Sequence, residues 1–134
     1  MAETTQFELV SPEKLLYSEE TEMVVVPGAE GNFGVLPRHA PMISTLRPGV
    51  IDVYQKGSVA ERIFVAGGFA EVTETRCTVL AEEALPLSDV DVARVDKDLA
   101  DLRDDLKDAK ADLERERLEA RITVLEAMRA AASH

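Results

Sequence analysis

Val26-Pro27-Gly28-Ala29-Glu30-Gly31-Asn32-Phe33-Gly34-Val35-Leu36-Pro37-Arg38-His39-Ala40-Pro41-Met42 is the stretch on which the fold turns. Gly28, Gly31 and Gly34 recur at a spacing of three, and Pro27, Pro37 and Pro41 flank them. Glycine reaches backbone angles closed to other residues, and proline fixes its own φ. So much punctuation around Phe33, Val35 and Leu36 predicts two tight turns with a short strand between them, not a helix. A phosphate-binding loop needs Gly-Lys-Ser/Thr opening a helix, and a dinucleotide loop needs a helix after its glycines. Neither pattern is here, and Pro37 and Pro41 oppose the helix. Taken alone, the stretch describes either structural turns in a β-protein or a rigid loop presented to a partner.

On the N-terminal side, Gln6–Val10 alternates, Lys14–Tyr17 follows a Ser11-Pro12-Glu13 turn, and β-branched Glu22–Val26 leads into the glycines. On the C-terminal side come Met42–Leu46, a turn at Arg47-Pro48-Gly49, and Val50–Tyr54. A hairpin tip at Gln55–Ser58 is followed by Arg62–Val65. Gly67-Gly68 is expected to break the next run, so that Phe69–Val72 stands as a separate strand before Cys77–Ala81. Short strands with turn signals this close predict a β-sandwich or flattened barrel, one face of each strand buried and the other solvated.

Beyond this region the character of the sequence shifts. All six aromatics lie within the first 69 of 134 residues, and all six prolines and seven glycines lie before residue 87. From Ser88 onward charge dominates. The segment Leu87–Asp91 is expected to cap a helix, its acids favourable to the helix dipole. Val92, Val95, Leu99, Leu102, Leu106, Ala109 and Leu113 then form one narrow apolar stripe at alternating gaps of three and four. The rhythm slips between Leu113 and Leu118. This predicts two helices with a turn inside Lys107–Glu114; the alternative is one helix of about 44 residues, roughly 65 Å long. The expected fold class is α+β: an antiparallel β-sandwich over residues 1–86 and a C-terminal helical hairpin over residues 87–134. A thin stripe on a charge-rich hairpin implies weak docking and room for a second conformation, since a partner need supply only a few kcal/mol to shift the balance.

Composition narrows the function classes. With 15 basic against 26 acidic residues the formal net charge is −11, and the pI is near 4.6. That argues against nucleic acid or anionic lipid as the main partner. No apolar run approaches the roughly 18–20 residues needed to span a bilayer, and Met1–Gln6 lacks the pattern of a signal peptide. The expectation is an intracellular protein, soluble by itself. One cysteine, Cys77, excludes an internal disulfide and reads as a small packed residue in a strand. Two histidines, His39 and His134, and that cysteine cannot assemble the usual hydrolytic or metal sites. No metal site, no resident cofactor and no catalysis by this chain are expected.

Gly28 to Pro41, followed by Leu46-Arg47-Pro48-Gly49, closely resembles the signature of the epsilon subunit of bacterial F-type ATP synthases. The resemblance runs on through Val65–Val72 and Thr78–Ala81 into the acidic tail. It implies a β-sandwich with two C-terminal helices at the foot of a rotating central stalk, contacting the gamma subunit and the c-ring of the membrane sector. The protein would then lie on the cytoplasmic face of the inner membrane, reaching the membrane only through the complex, and would couple proton flow to ATP synthesis. In many members the helices can extend along gamma into the alpha/beta hexamer and inhibit hydrolysis. Carried over residue by residue, the ring-facing positions are Glu30, Gly31, Asn32, Arg38 and His39; many relatives carry an acid where this sequence has Asn32. His39 stands either as a hydrogen-bonding residue of its turn or as a titrating contact. Some members bind regulatory ATP through an Ile/Leu-Asp-x-x-Arg-Ala motif, matched here by Val90-Asp91-Val92-Ala93-Arg94-Val95. Asp91 and Arg94 are retained, while Val95 is larger than the family's alanine. The pair reads either as nucleotide contacts or as a helix-start acid with its i,i+3 partner. Without the resemblance, the protein would be a free-standing β-sandwich adaptor whose hairpin binds a partner helix.

Overall fold

The computed structural model describes residues 3–133; Met1 and Ala2, on which part of the leader expectation rests, and His134 lie outside the described residues. The protein divides into two compact units, Met1–Pro86 and Leu87–His134.

Among the described residues the first unit holds eight strands: β1 (Thr5–Val10), β2 (Leu15–Thr21), β3 (Met23–Gly28), β4 (Gly31–Val35), β5 (Met42–Thr45), β6 (Gly49–Gln55), β7 (Ser58–Val72) and β8 (Arg76–Pro86). They run in the order β2-β1-β8-β7-β6-β3-β4, with β5 added to β7. The long strands β7 and β8 serve both layers of the sandwich. The first half of β7 pairs with β6, and its last residues, Phe69–Val72, pair with β5. The first half of β8 pairs with β1.

The passage from one layer to the other falls at Gly67 and Gly68, with φ of 73° and 103°. Gly67-Gly68 therefore does not end a strand, contrary to expectation: β7 runs on through it and pairs with β8 on both sides. The glycines bend the strand, because both take backbone angles that disfavour a side chain. The sandwich is antiparallel except where β1 lies parallel to β8. These two strands stand at opposite ends of the domain's sequence, so no tight hairpin dictates their direction.

Alternation decides the core. β1 buries every second residue, among them Phe7 and Leu9, and β6 buries Ile51 and Val53. With Val24, Val26, Val35, Val65, Val72, Cys77 and Val79 they form one apolar cluster. The β6–β7 tip closes with Lys56 and Gly57 at φ of 53° and 79°, two left-handed residues in the turn that best matches strand twist.

In the second unit a short 3-10 turn, Leu87–Asp89, precedes α1 (Val92–Asp108) and α2 (Asp112–Ala132). The break at 109–111 falls inside the interval that the slipped stripe predicted, and the single long helix is excluded. The helix begins later than Ser88, because Asp91 is the residue that caps it. Val95, Leu99 and Ala109 of the stripe are buried, whereas Leu113 is 58% exposed. The turn resets the helical phase, so Leu113 in the first turn of α2 leaves the seam, and Ile122, Leu125 and Met128 carry the buried face of α2. No helix among the described residues is long and apolar enough to cross a membrane.

Candidate functional site

Glu30 sits with Ala29 in the two-residue turn joining β3 to β4, flanked by the paired Gly28 and Gly31. Gly31 has φ of 136°, so a side chain there would be strained. Gly28 is glycine for a different reason: a Cβ there would stand 2.9 Å from both the Gly31 carbonyl and the Phe33 ring. Gly34 needs neither, for a Cβ would meet only the Met23 side chain, at 3.4 Å. Thus two of the three glycines are dictated by local geometry.

The turn is tied down from outside. Ala29 N–H donates to the Thr45 carbonyl at 2.9 Å, and Arg47 N–H to the Pro27 carbonyl at 3.0 Å. Arg47 then reaches across with its guanidinium: Nη1 donates to the Gly28 carbonyl at 2.6 Å and Nη2 to Asn32 Oδ1 at 2.5 Å. Beside the turn an open cleft of about 600 Å³ runs between Gly28–Phe33 and Met42–Thr45. Ile43 on its rim is 71% exposed.

Arg38 and His39 lie in the turn beyond the other end of β4. Arg38 has φ of 67°, a left-handed conformation uncommon for a residue with a side chain. Its N–H donates to the Glu74 carbonyl at 2.8 Å, and its Nη2 pairs with Glu3 Oε1 at 2.5 Å. His39 N–H closes the turn onto Leu36 at 3.1 Å, and its Nδ1 lies 2.7 Å from the Ala40 carbonyl. Its ring turns back toward Phe33, centroids 6.5 Å apart. The five positions drawn from the resemblance therefore form two groups, Glu30-Gly31-Asn32 at the β3–β4 turn and Arg38-His39 beyond the far end of β4. Arg47, Ile43 and Met42 border the first group, and sequence reasoning assigns them no role. Arg47 stands inside the signature, but nothing in its neighbours' identities says that its side chain spans the turn.

Asp91 and Arg94 have local partners. Asp91 Oδ1 accepts the Arg94 backbone N–H at 3.2 Å, and Arg94 Nε pairs with Asp98 Oδ1 at 3.2 Å. The Arg94 side chain is largely exposed. Among the described residues no group of three or more His, Cys, Asp or Glu is arranged to hold a metal ion.

One further surface stands out. Register aligns Thr45, Phe69, Leu80, Val10 and Leu15 in a single row across five neighbouring strands. Their neighbours Ala70, Val79 and Leu9 point into the core, so the row lies on the outer face. Phe69, Leu80 and Leu15 are exposed.

Residues 4–87 match the family described as ATP synthase, Delta/Epsilon chain, beta-sandwich domain, and residues 91–134 match the family of the C-terminal domain of the ATP synthase epsilon chain. The protein is 60% identical over 132 residues to the ATP synthase epsilon chain of Rhodospirillum centenum, an alignment spanning 95% of its own length and 90% of its relative's. It is 48% identical to that of Maricaulis maris over the whole of both sequences. With that of Rhodospirillum rubrum it shares 70% identity over 90 residues, 67% of each. A subunit in the structure of the Euglena gracilis mitochondrial ATP synthase superposes with a TM-score of 0.83 at 25% identity, over 98% of this protein and 82% of that subunit. One from the central stalk and c-ring of the Tetrahymena thermophila enzyme gives 0.67 at 11% identity, over 96% of each, a likeness of fold alone. A glycine-punctuated sandwich, a capped helical hairpin and matches to both domain families over nearly the whole length lead to one conclusion: the protein belongs to the ATP synthase epsilon chain family.

Proposed function

We propose that this protein is a non-catalytic rotor subunit of a proton-translocating ATP synthase, linking gamma to the c-ring on the cytoplasmic face of the inner membrane. In this reading residues 1–86 make both contacts. Glu30, Gly31, Asn32, Arg38 and His39 face the c-ring, and the apolar outer row at Phe69, Leu80 and Leu15 faces gamma. Residues 87–134 regulate hydrolysis by leaving their hairpin and reaching the alpha/beta hexamer.

The observation that carries the reading is the outer-face row. Phe69, Leu80 and Leu15, large exposed apolar side chains joined in register through Val10 across four strands, are not needed to hold the sandwich, and an exposed patch of that kind marks a protein partner. The tied β3–β4 turn supports the ring contact, since an element that transmits torque must not yield.

The test is recovery of the affinity-tagged protein from detergent-solubilised membranes of the native organism. Gamma, the catalytic hexamer and the c-ring are expected to come with it, and Phe69→Asp together with Leu80→Asp to lose them while the free protein stays folded. A free-standing adaptor would bring down soluble partners only, and that result would overturn the proposal.

A further inference from the structure

The geometry points to Arg47 as the positioning residue of the ring-facing turn: its guanidinium splints Gly28 to Asn32 and so fixes where Glu30 and Gly31 stand. This rests on the rotor reading above and adds a residue to it.

The chemistry of the clamp is specific. Arg47 lies in the connection after β5, not on the hairpin that it holds. It spends one N–H on a backbone carbonyl of β3 and another on a side-chain oxygen of β4, at 2.6 and 2.5 Å. Those two acceptors flank the Ala29-Glu30 turn, so both legs of the hairpin are held by one planar group. A guanidinium presents its donors in a fixed fork, which a lysine ammonium does not reproduce across two acceptors. The backbone of the same residue adds a third tie, to Pro27 at 3.0 Å. Without the side chain, the turn keeps its strand pairing and its backbone ties to Thr45 and Arg47 but loses the side-chain bridge that joins its two legs. Asn32 also gains a role: its side-chain oxygen is the acceptor, and an aspartate there would serve equally.

The test uses the full-length protein, free and reassembled with the ATP synthase in proton-tight vesicles, in wild-type, Arg47→Gln, Arg47→Lys, Asn32→Leu and Asn32→Asp forms. In the free wild-type protein, backbone order parameters at Gly31 and Asn32 are expected at the rigid level of about 0.85, falling below about 0.6 in Arg47→Gln and Asn32→Leu. In vesicles, the ratio of proton-driven ATP synthesis to ATP hydrolysis is expected to fall about tenfold or more in those two variants, the scale set by loss of one charge-assisted hydrogen bond. Asn32→Asp restores both readouts, and Arg47→Lys restores them in part. Asn32→Leu leaves the Arg47 connection intact, so the test survives if Arg47→Gln fails to fold. Unchanged order parameters in both variants would overturn the clamp. A loosened turn with an unchanged synthesis-to-hydrolysis ratio would overturn its role in coupling while leaving the rotor reading in place. Failure of the wild-type protein to assemble with the ATP synthase would overturn the rotor reading and this role together.

Discussion

At single residues, backbone space and burial make the sharpest demands. Gly68 combines φ of 103° with no room at all, since a Cβ would fall 1.8 Å from the Leu80 carbonyl oxygen. Gly67, at φ of 73°, would meet mainly the carboxylate of Glu82, at 2.5 Å, the mobile end of a side chain. Gly68→Ala is therefore expected to cost about 3 kcal/mol or more, and Gly67→Ala about 1–2 kcal/mol, in denaturant unfolding monitored by circular dichroism. Cys77 and Tyr17 are the groups whose acidity the fold lowers. Burial pushes the Cys77 thiol from 9.0 up to about 12. Tyr17 rises from 10.0 to about 12, chiefly through burial, then through its hydrogen bond to Glu19 and the negative charges of Glu19 and Glu61. Both groups are held neutral by the fold. Their contribution is complete below pH 9.0 for the thiol and below pH 10.0 for the phenol, and it is lost as pH rises through about 12. Alkylation of Cys77 is expected to be negligible in the native protein at pH 8 and rapid in denaturant. Apparent stability should fall above pH 9 as the thiol and then the phenol ionise in the unfolded state.

Among elements, the hairpin of α1 and α2 and the sandwich differ in what holds them. The sandwich shares one continuous core. The hairpin has a few buried side chains, Val95, Leu99, Ile122, Leu125 and Met128, and surface pairs such as Arg103–Glu126 and Arg129–Asp96 that join its two helices. Exposed pairs of this kind contribute about 0–1 kcal/mol each. The apolar seam therefore dominates, and Leu125→Ala is expected to cost about 2–4 kcal/mol, mostly from the helical unit. Asp91→Ala removes the N-cap and is expected to cost about 1 kcal/mol. Amide hydrogen exchange reads both changes: protection should fall across α1 and α2 and persist in β1 and β6–β8. Equal loss in sandwich and helices would show that the two units unfold as one.

For the whole molecule, the division at Pro86 has a direct consequence. Every residue of the large apolar cluster lies between Phe7 and Ala84, inside the first unit. A protein truncated after Pro86 is expected to fold alone with a cooperative thermal transition close to that of the full-length form. In the rotor reading it would still enter the ATP synthase, while any restraint that the tail places on hydrolysis would disappear. Circular dichroism and hydrolysis assays of the assembled complex check the two parts.

Local signals settled much of this protein from its sequence. Glycine and proline spacing marked the turns on both sides of β4, and Lys56-Gly57 marked its hairpin, because turn chemistry acts over a few residues. The slip between Leu113 and Leu118 located the break between helices, because the seam must face a partner. The motif around Gly28–Pro41 led to the family for the same reason: the constraint is written in consecutive residues. Tertiary structure decided what depends on residues far apart. That Gly67-Gly68 bends a strand instead of ending it follows from β8 continuing to pair across the bend. The parallel β1–β8 contact joins segments some seventy residues apart in sequence. Arg47 became the splint of the β3–β4 turn, and Phe69, Leu80, Val10 and Leu15 became one row, only once strand register brought them together. A residue's neighbours in the sequence hold no trace of a hydrogen bond or a contact made across the sheet.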